Sequence, residues 1–265
     1  MERVDLPDVT LAVRKVGDGP ALPLIWGHGL SSSMEGEDEL GLVDWHRAAP
    51  DRTVWRYDAR GHGESGSTPD PVTYTWDRLA ADQLALADAL GVDRYVATGA
   101  SMGCATALFA ALAAPERIER LVLVIPPTAW ETRAAQTDMY GIMARLLDED
   151  DLDTLLAGVD TAAVPDPFAD DEAWSERSRR RLLEADRPRL ANVLRGAALA
   201  DLPPPERLRD ITAPALVLAW TGDPGHPVAS AEALHDLLPD TRLHVASDAA
   251  ALGTWSDLLR EFLRG

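Results

Sequence analysis

Short apolar runs alternate with longer stretches of helical spacing along most of this 265-residue chain. The runs are Leu11–Val16, Ala21–Trp26, Thr53–Tyr57, Arg94–Thr98, Leu121–Ile125, Leu216–Trp220 and Thr241–Ala246. Strands that read as continuous apolar runs are buried on both faces, and long helical connections between them force parallel pairing. The pattern therefore predicts an α/β fold, a mostly parallel central sheet with helices on both faces. Helices are expected at Tyr74–Leu90, Met102–Ala113 and Thr254–Leu263, the first stopped by Gly91 and the second by Pro115. Between Pro126 and about Asp210 the alternation ceases, and helical patterns follow one another at Arg133–Leu147, Asp151–Val159, Glu172–Glu184 and Arg187–Ala198. Residues 127–210 are expected to form a helical cap inserted into a core made of 1–126 and 211–265.

At the end of the run Arg94–Thr98 stands Gly99-Ala-Ser-Met-Gly103, followed at once by a helix. Strand, G-x-S-x-G, helix is the context in which a serine is thrust out on a strained turn with small residues on either side. Ser101 is the expected nucleophile. After Ala21–Trp26 comes Gly27-His-Gly-Leu30, a tight turn that leaves its strand at the same sheet edge. A negative charge growing on a substrate carbonyl needs two preorganised donors, and the N–H groups of Leu30 and Met102 are the candidates. His28 is read as a packing residue of that turn, with a place beside the substrate pocket. Cys104 is read as a small buried residue of the packed helix.

With Asp58-Ala-Arg-Gly-His-Gly-Glu-Ser65 lying between them, these motifs make the chain resemble the α/β-hydrolase superfamily over about Thr10 to Leu263. The likeness is to the esterase and lactonase branch that includes 3-oxoadipate enol-lactonase and anthracycline methylesterases. It implies that His62 belongs to a non-catalytic turn and that Asp223, in Thr221-Gly-Asp-Pro-Gly-His-Pro227, is the triad acid; a turn-starting role before Pro224 is the alternative. It also implies a histidine after the last strand, yet the segment Ser247–Thr254 reads SDAAALGT and no histidine follows His244. Removing the histidine of a serine triad costs on the order of 10⁶ in turnover. Either another group has replaced that base or the reaction needs none there. His226, three residues after Asp223, is the candidate replacement; an ordinary turn position is the competing reading.

Net charge is −19, so nucleic acid and anionic membranes are poor partners, and no run reaches the ~18 apolar residues needed to span a bilayer. The N-terminus carries no secretory pattern and there is a single cysteine, so a cytoplasmic location is expected. No cofactor or metal is expected: there is no phosphate-binding glycine loop and no ligand spacing, and the acidic groups Glu35–Glu39 and Asp148–Asp151 read as solvated faces. The expected partner is a small molecule, with a homodimer left open. Trp130, Tyr140 and Met143 of the cap suggest an apolar pocket wall. Three functions compete at this stage. The first is a serine esterase, lactonase or thioesterase with a relocated base. The second is a non-hydrolytic cyclase, isomerase or lyase of secondary metabolism using the oxyanion donors alone. The third is a binding protein without catalysis.

Overall fold

A computed structural model describes all residues from Met1 to Gly265. Eight strands form one sheet in the order β1-β2-β4-β3-β5-β6-β7-β8. They are β1 (Glu2–Asp5), β2 (Thr10–Val16), β3 (Ala21–Gly27), β4 (Arg52–Tyr57), β5 (Tyr95–Ala100), β6 (Ile118–Val124), β7 (Ala215–Trp220) and β8 (Thr241–Ala246). β1, β2 and β4 pair antiparallel, and every other pairing is parallel. The seven expected strands are all present. β1 was not anticipated, because an edge strand reading Glu-Arg-Val-Asp is largely exposed and has no apolar run.

Helices cover both faces. On one side α3 (Trp76–Ala89), α4 (Met102–Ala113), α9 (Pro205–Leu208) and α10 (Val228–Leu237) bury a large cluster that includes Leu79, Leu86, Leu108, Leu121, Val217 and Leu234. On the other, α2 (Trp45–Ala48) and α12 (Trp255–Arg264) pack Trp45, Trp255, Leu259 and Phe262 onto Leu24, Val96, Val122 and Leu218. The alternating faces of each strand feed the two clusters separately, so β3 sends Ile25 to the first and Leu24 and Trp26 to the second. α1 (Met34–Leu40) follows the β3 turn, capped by Ser33.

Between β6 and β7 the chain makes four helices with a small core of their own, α5 (Arg133–Asp148), α6 (Leu152–Thr161), α7 (Trp174–Glu184) and α8 (Arg187–Ala198). Arg133 ties them to the sheet-bearing part. Its buried guanidinium donates to the carbonyls of Ala197 and Ala200 and to Thr128 Oγ1, and lies over the rings of Trp76 and Tyr140. The segment Ser247–Thr254 is not a plain loop. It winds into α11 (Ala249–Leu252), capped by the Asp248 carboxylate accepting the Ala251 N–H at 2.8 Å.

Candidate active site

The turn Gly99–Gly103 is held by close backbone contact. β3 and β5 pair in register with Gly27 opposite Gly99, so their two C-terminal turns emerge side by side. A Cβ on Gly99 would lie 2.5 Å from the Gly103 backbone, and one on Gly103 would lie 2.1 Å from the Gly27 carbonyl oxygen. Only glycine permits this approach of β5, α4 and β3. Between them Ser101 takes φ 51° and ψ −108°, a conformation that costs a serine ~1–3 kcal/mol and persists only where the surroundings impose it. Its Oγ is thereby aimed away from the sheet end.

Ser101 Oγ lies 2.8 Å from Nε2 of His226, and Nδ1 of that ring lies 2.7 Å from Oδ2 of Asp223. The sequence shows how this arises. Asp223 starts a tight turn in which its Oδ1 accepts the Gly225 N–H at 2.8 Å and its carbonyl accepts the His226 N–H at 3.2 Å. The turn folds residue i+3 back over residue i, bringing imidazole and carboxylate together. Gly222, at φ +81°, starts the reversal where a Cβ would fall 2.4 Å from Asp166 Oδ1. β7 is not the neighbour of β5, since β6 lies between them. The turn reaches across the end of β6, where the Thr128 N–H donates to the Gly225 carbonyl at 3.1 Å.

The charges fit their places. Burial works against ionisation of Asp223, but hydrogen bonds from His226, the Trp220 indole and the Gly225 N–H outweigh it and hold the carboxyl below its usual range. Trp220 Nε1 donates to the same Oδ2 at 3.0 Å. That indole stacks on Trp255 at 6.1 Å and 16°, takes the edge of Phe168, and stands perpendicular to the His226 ring. One aromatic platform, built from β7, α12 and the helical insertion, therefore supports both acid and imidazole. The signal for Trp220 lay in its position as the last residue of β7, three before Asp223, and was missed.

Met102 is the first residue of α4, where an amide has no acceptor within its own helix. Leu30 directly follows Gly29, whose Cβ, if it had one, would sit 3.6 Å from the Cβ of Ser101. The Gly29 N–H donates to Glu37 Oε1 at 3.3 Å. Glu37 is a second omission: of the acidic group Glu35–Glu39 it is the member that turns inward. Its spacing of three from the buried Met34 was the available clue. Asp38, by contrast, pairs with Arg14 and Arg56.

The other histidines stand apart. His28 Nε2 accepts the Ala59 N–H at 2.9 Å, so its Nδ1 must carry the proton that faces the Gly29 carbonyl at 2.7 Å. Burial drives its pKa down to about 4 and that of His62 to about 3. Both rings are neutral pegs, packed edge to face at 4.9 Å. His244 lies within edge strand β8. Cys104 is buried, its thiol donating to the carbonyls of Gly99 and Val124.

The expected pocket residues are drawn into packing. Trp130 donates its indole N–H to the Pro203 carbonyl and packs on the large cluster, Tyr140 lies under Arg133, and Met143 packs within the insertion. A cavity of about 510 Å³ opens beside Ser31–Ser33, between the turn Gly61-His62-Gly63 and the insertion. It is largely polar, with Arg180, Arg181 and Arg189 on the insertion's side and only two of its 17 lining residues apolar.

Comparison with known proteins agrees with this architecture. The family profile described as alpha/beta hydrolase fold matches residues 23–257. The 3-oxoadipate enol-lactonase 2 of Acinetobacter baylyi is 30% identical over 190 residues, 71% of this chain and 68% of that one. The mouse sn-1-specific diacylglycerol lipase ABHD11 is 33% identical over 124 residues, and there the match spans only 39% of the relative's length. Among solved structures, a hydrolase from Pseudomonas aeruginosa superposes with a TM-score of 0.79 at 28% identity, covering 99% of this chain and 97% of the other. With its sheet order, its glycine-framed serine turn and a profile match across most of its length, this chain belongs to the alpha/beta hydrolase fold family.

Proposed function

We propose that the protein is a serine hydrolase of esters, lactones or thioesters whose general base is His226, borne on the same turn as its orienting acid. The observation that carries this reading is the unbroken chain from Ser101 Oγ to His226 Nε2 at 2.8 Å and from His226 Nδ1 to Asp223 Oδ2 at 2.7 Å. Ser101 Oγ attacks the acyl carbon while its proton passes to Nε2 of His226. The Nδ1–H donates to ionised Asp223, which stabilises the imidazolium without taking its proton. The N–H groups of Leu30 and Met102 hold the oxyanion. His226 then protonates the departing alcohol or thiol, and a water deprotonated by the same ring releases the acid from Ser101.

In this reading residues 127–210 form a cap over a core of 1–126 and 211–265. Trp130, Tyr140 and Met143 remain the candidate apolar wall. None of Ser101, Leu30, Met102 and His226 lines the polar cavity; it begins at Ser31, the residue after Leu30, and is the candidate place for a polar or charged arm of the substrate. That the enol-lactonase relative is named for an oxoacid lactone is in keeping with such an arm. The protein acts without a cofactor in the cytoplasm.

A panel of p-nitrophenyl esters and small lactones, with and without a terminal carboxylate, tests the proposal. Turnover that disappears in Ser101→Ala is expected. Equal turnover by Ser101→Ala would overturn the acyl-enzyme reading, and no turnover by wild type on any ester or lactone would favour a non-hydrolytic enzyme of this fold.

A further inference from the structure

We propose that the Glu37 carboxylate is a positioning residue for the oxyanion turn, holding Gly29 so that the following amide, of Leu30, faces the substrate carbonyl. The inference rests on the serine hydrolase reading above. Glu37 is buried in α1, beside a cavity of about 100 Å³ that it shares with Trp26, Val43, Trp45 and Arg56. No cation lies within ion-pair distance of it. The Arg56 guanidinium is taken by Asp38 and by the Met34 carbonyl. The hydrogen bond to its side chain comes from the Gly29 N–H at 3.3 Å.

A carboxylate desolvated with so little compensation weakens a fold, and an apolar side chain of similar size would cost less there. What it does achieve is restraint. Gly29 has no Cβ to limit its rotation, and the direction of the Leu30 N–H depends on the Gly29 dihedrals. The His28 Nδ1–H and the Ser32 N–H hold the Gly29 carbonyl, and with it the peptide that carries the Leu30 N–H, while Glu37 holds the peptide before Gly29, so that the glycine is restrained on both sides without a Cβ near Ser101.

The same burial makes the restraint sensitive to pH. Desolvation pushes the Glu37 pKa up to about 7, opposed by the Gly29 N–H and by the charges of Arg56 on β4 and Arg181 on α7, with Asp38 on its own helix adding to the rise. His28 on the turn and Cys104 on α4 also face this region. Burial keeps the imidazole neutral and pushes the thiol up, so neither changes charge alongside Glu37 near neutrality. An ionised carboxylate accepts the Gly29 N–H more strongly than a protonated one. The oxyanion turn is therefore firmest above pH 7 and loosens below it.

The test uses the full-length protein with p-nitrophenyl acetate as the probe, comparing wild type, Glu37→Leu and Glu37→Gln. Glu37→Leu is expected to melt no lower than wild type at pH 8, while kcat falls about tenfold and KM stays within about twofold. Glu37→Gln keeps an acceptor oxygen, so it recovers most of that loss, and its kcat varies less between pH 6 and 8 than wild type's. Wild-type kcat in Glu37→Leu, or a wild-type pH profile in Glu37→Gln, overturns the proposal; if Glu37→Leu does not fold, the glutamine profile decides. Fluorophosphonate labelling of the same wild-type sample separates the two claims. A labelled Ser101 with an indifferent Glu37 defeats this inference alone, whereas an unlabelled and inactive wild type defeats the hydrolase reading and this inference with it.

Discussion

The turns that follow the last two strands of the sheet have opposite characters. After β7, Thr221–Pro227 carries an acid and an imidazole, with Asp223 fixed by the Trp220 indole and the Gly225 N–H and the imidazole in contact with Ser101. After β8, Ser247–Thr254 winds into a four-residue helix made of three alanines and a leucine, much of it exposed. It packs beside the insertion's Asp166–Phe168 segment. If His226 is the base, as proposed, the contrast teaches that a base is defined by its reach to the nucleophile's proton and by the group on its other nitrogen. Which strand delivers it matters less. An Asx-type turn can place acid and base three residues apart because the i to i+3 hydrogen bond closes the same distance that the triad needs.

The comparison can be broken at its strongest point first. His226→Ala is expected to lower kcat by on the order of 10⁵–10⁶. Adding Ala250→His to that variant, which puts an imidazole back after β8, is expected to restore less than about tenfold, because α11 faces solvent and the insertion instead of Ser101. Ester-hydrolysis rates of the single and double variants check both; rescue to near wild type would mean that the β8 turn can still serve. Asp223→Asn should cost about 10⁴ in kcat with little change in KM, since the amide presents the wrong partner to Nδ1. Trp220→Phe keeps the stacked ring but removes the donor to Asp223 Oδ2, a hydrogen bond to a charged group worth ~1.5–3 kcal/mol. A kcat loss of about tenfold and a lower melting temperature are expected.

The buried histidines sharpen the comparison through stability. His28 and His62 are held neutral with pKa values of about 4 and about 3, below the unfolded value of 6.5. Their contribution is therefore present above pH 6.5 and is lost as pH falls toward those folded values. Glu37 has the opposite sign, because its folded pKa of about 7 lies above the unfolded value of 4.5, and it takes up a proton in the fold first. Denaturant melts between pH 7 and 4 should show a shallow change at first and a steeper loss below about pH 5. Replacing His62 by Gln should flatten that loss, and an unchanged slope would contradict the assignment.

Much of the sheet was legible because central strands buried on both faces have no choice but to be apolar. Tyr95–Ala100 and Ala215–Trp220 are buried throughout. β1 was hidden by its edge position. α10 was hidden by Pro227, which reads as a break yet serves as its N-cap. At the site, Gly99 and Gly103 could be read because no other residue allows that close approach, and Ser101 because it stands between them where a strand passes into a helix. His226 could be named but not decided, because sequence adjacency does not show that the Asp223 turn points its ring toward β5 across an intervening strand. Glu37 lay unseen within a run of charges, where only the helical register separates the inward residue from its solvated neighbours. Trp130, Tyr140 and Met143 illustrate the converse: large side chains suggest a pocket, yet here Trp130 packs on the large cluster against the sheet and Tyr140 and Met143 pack within the insertion.

The most direct test of a relocated base is the rate at which Ser101 is labelled by a fluorophosphonate, followed by intact mass in wild type and His226→Ala. A single adduct on Ser101 is predicted, forming at a rate that falls at least a hundredfold without the imidazole. Equal labelling rates in the two proteins, or no adduct in wild type, would contradict the account.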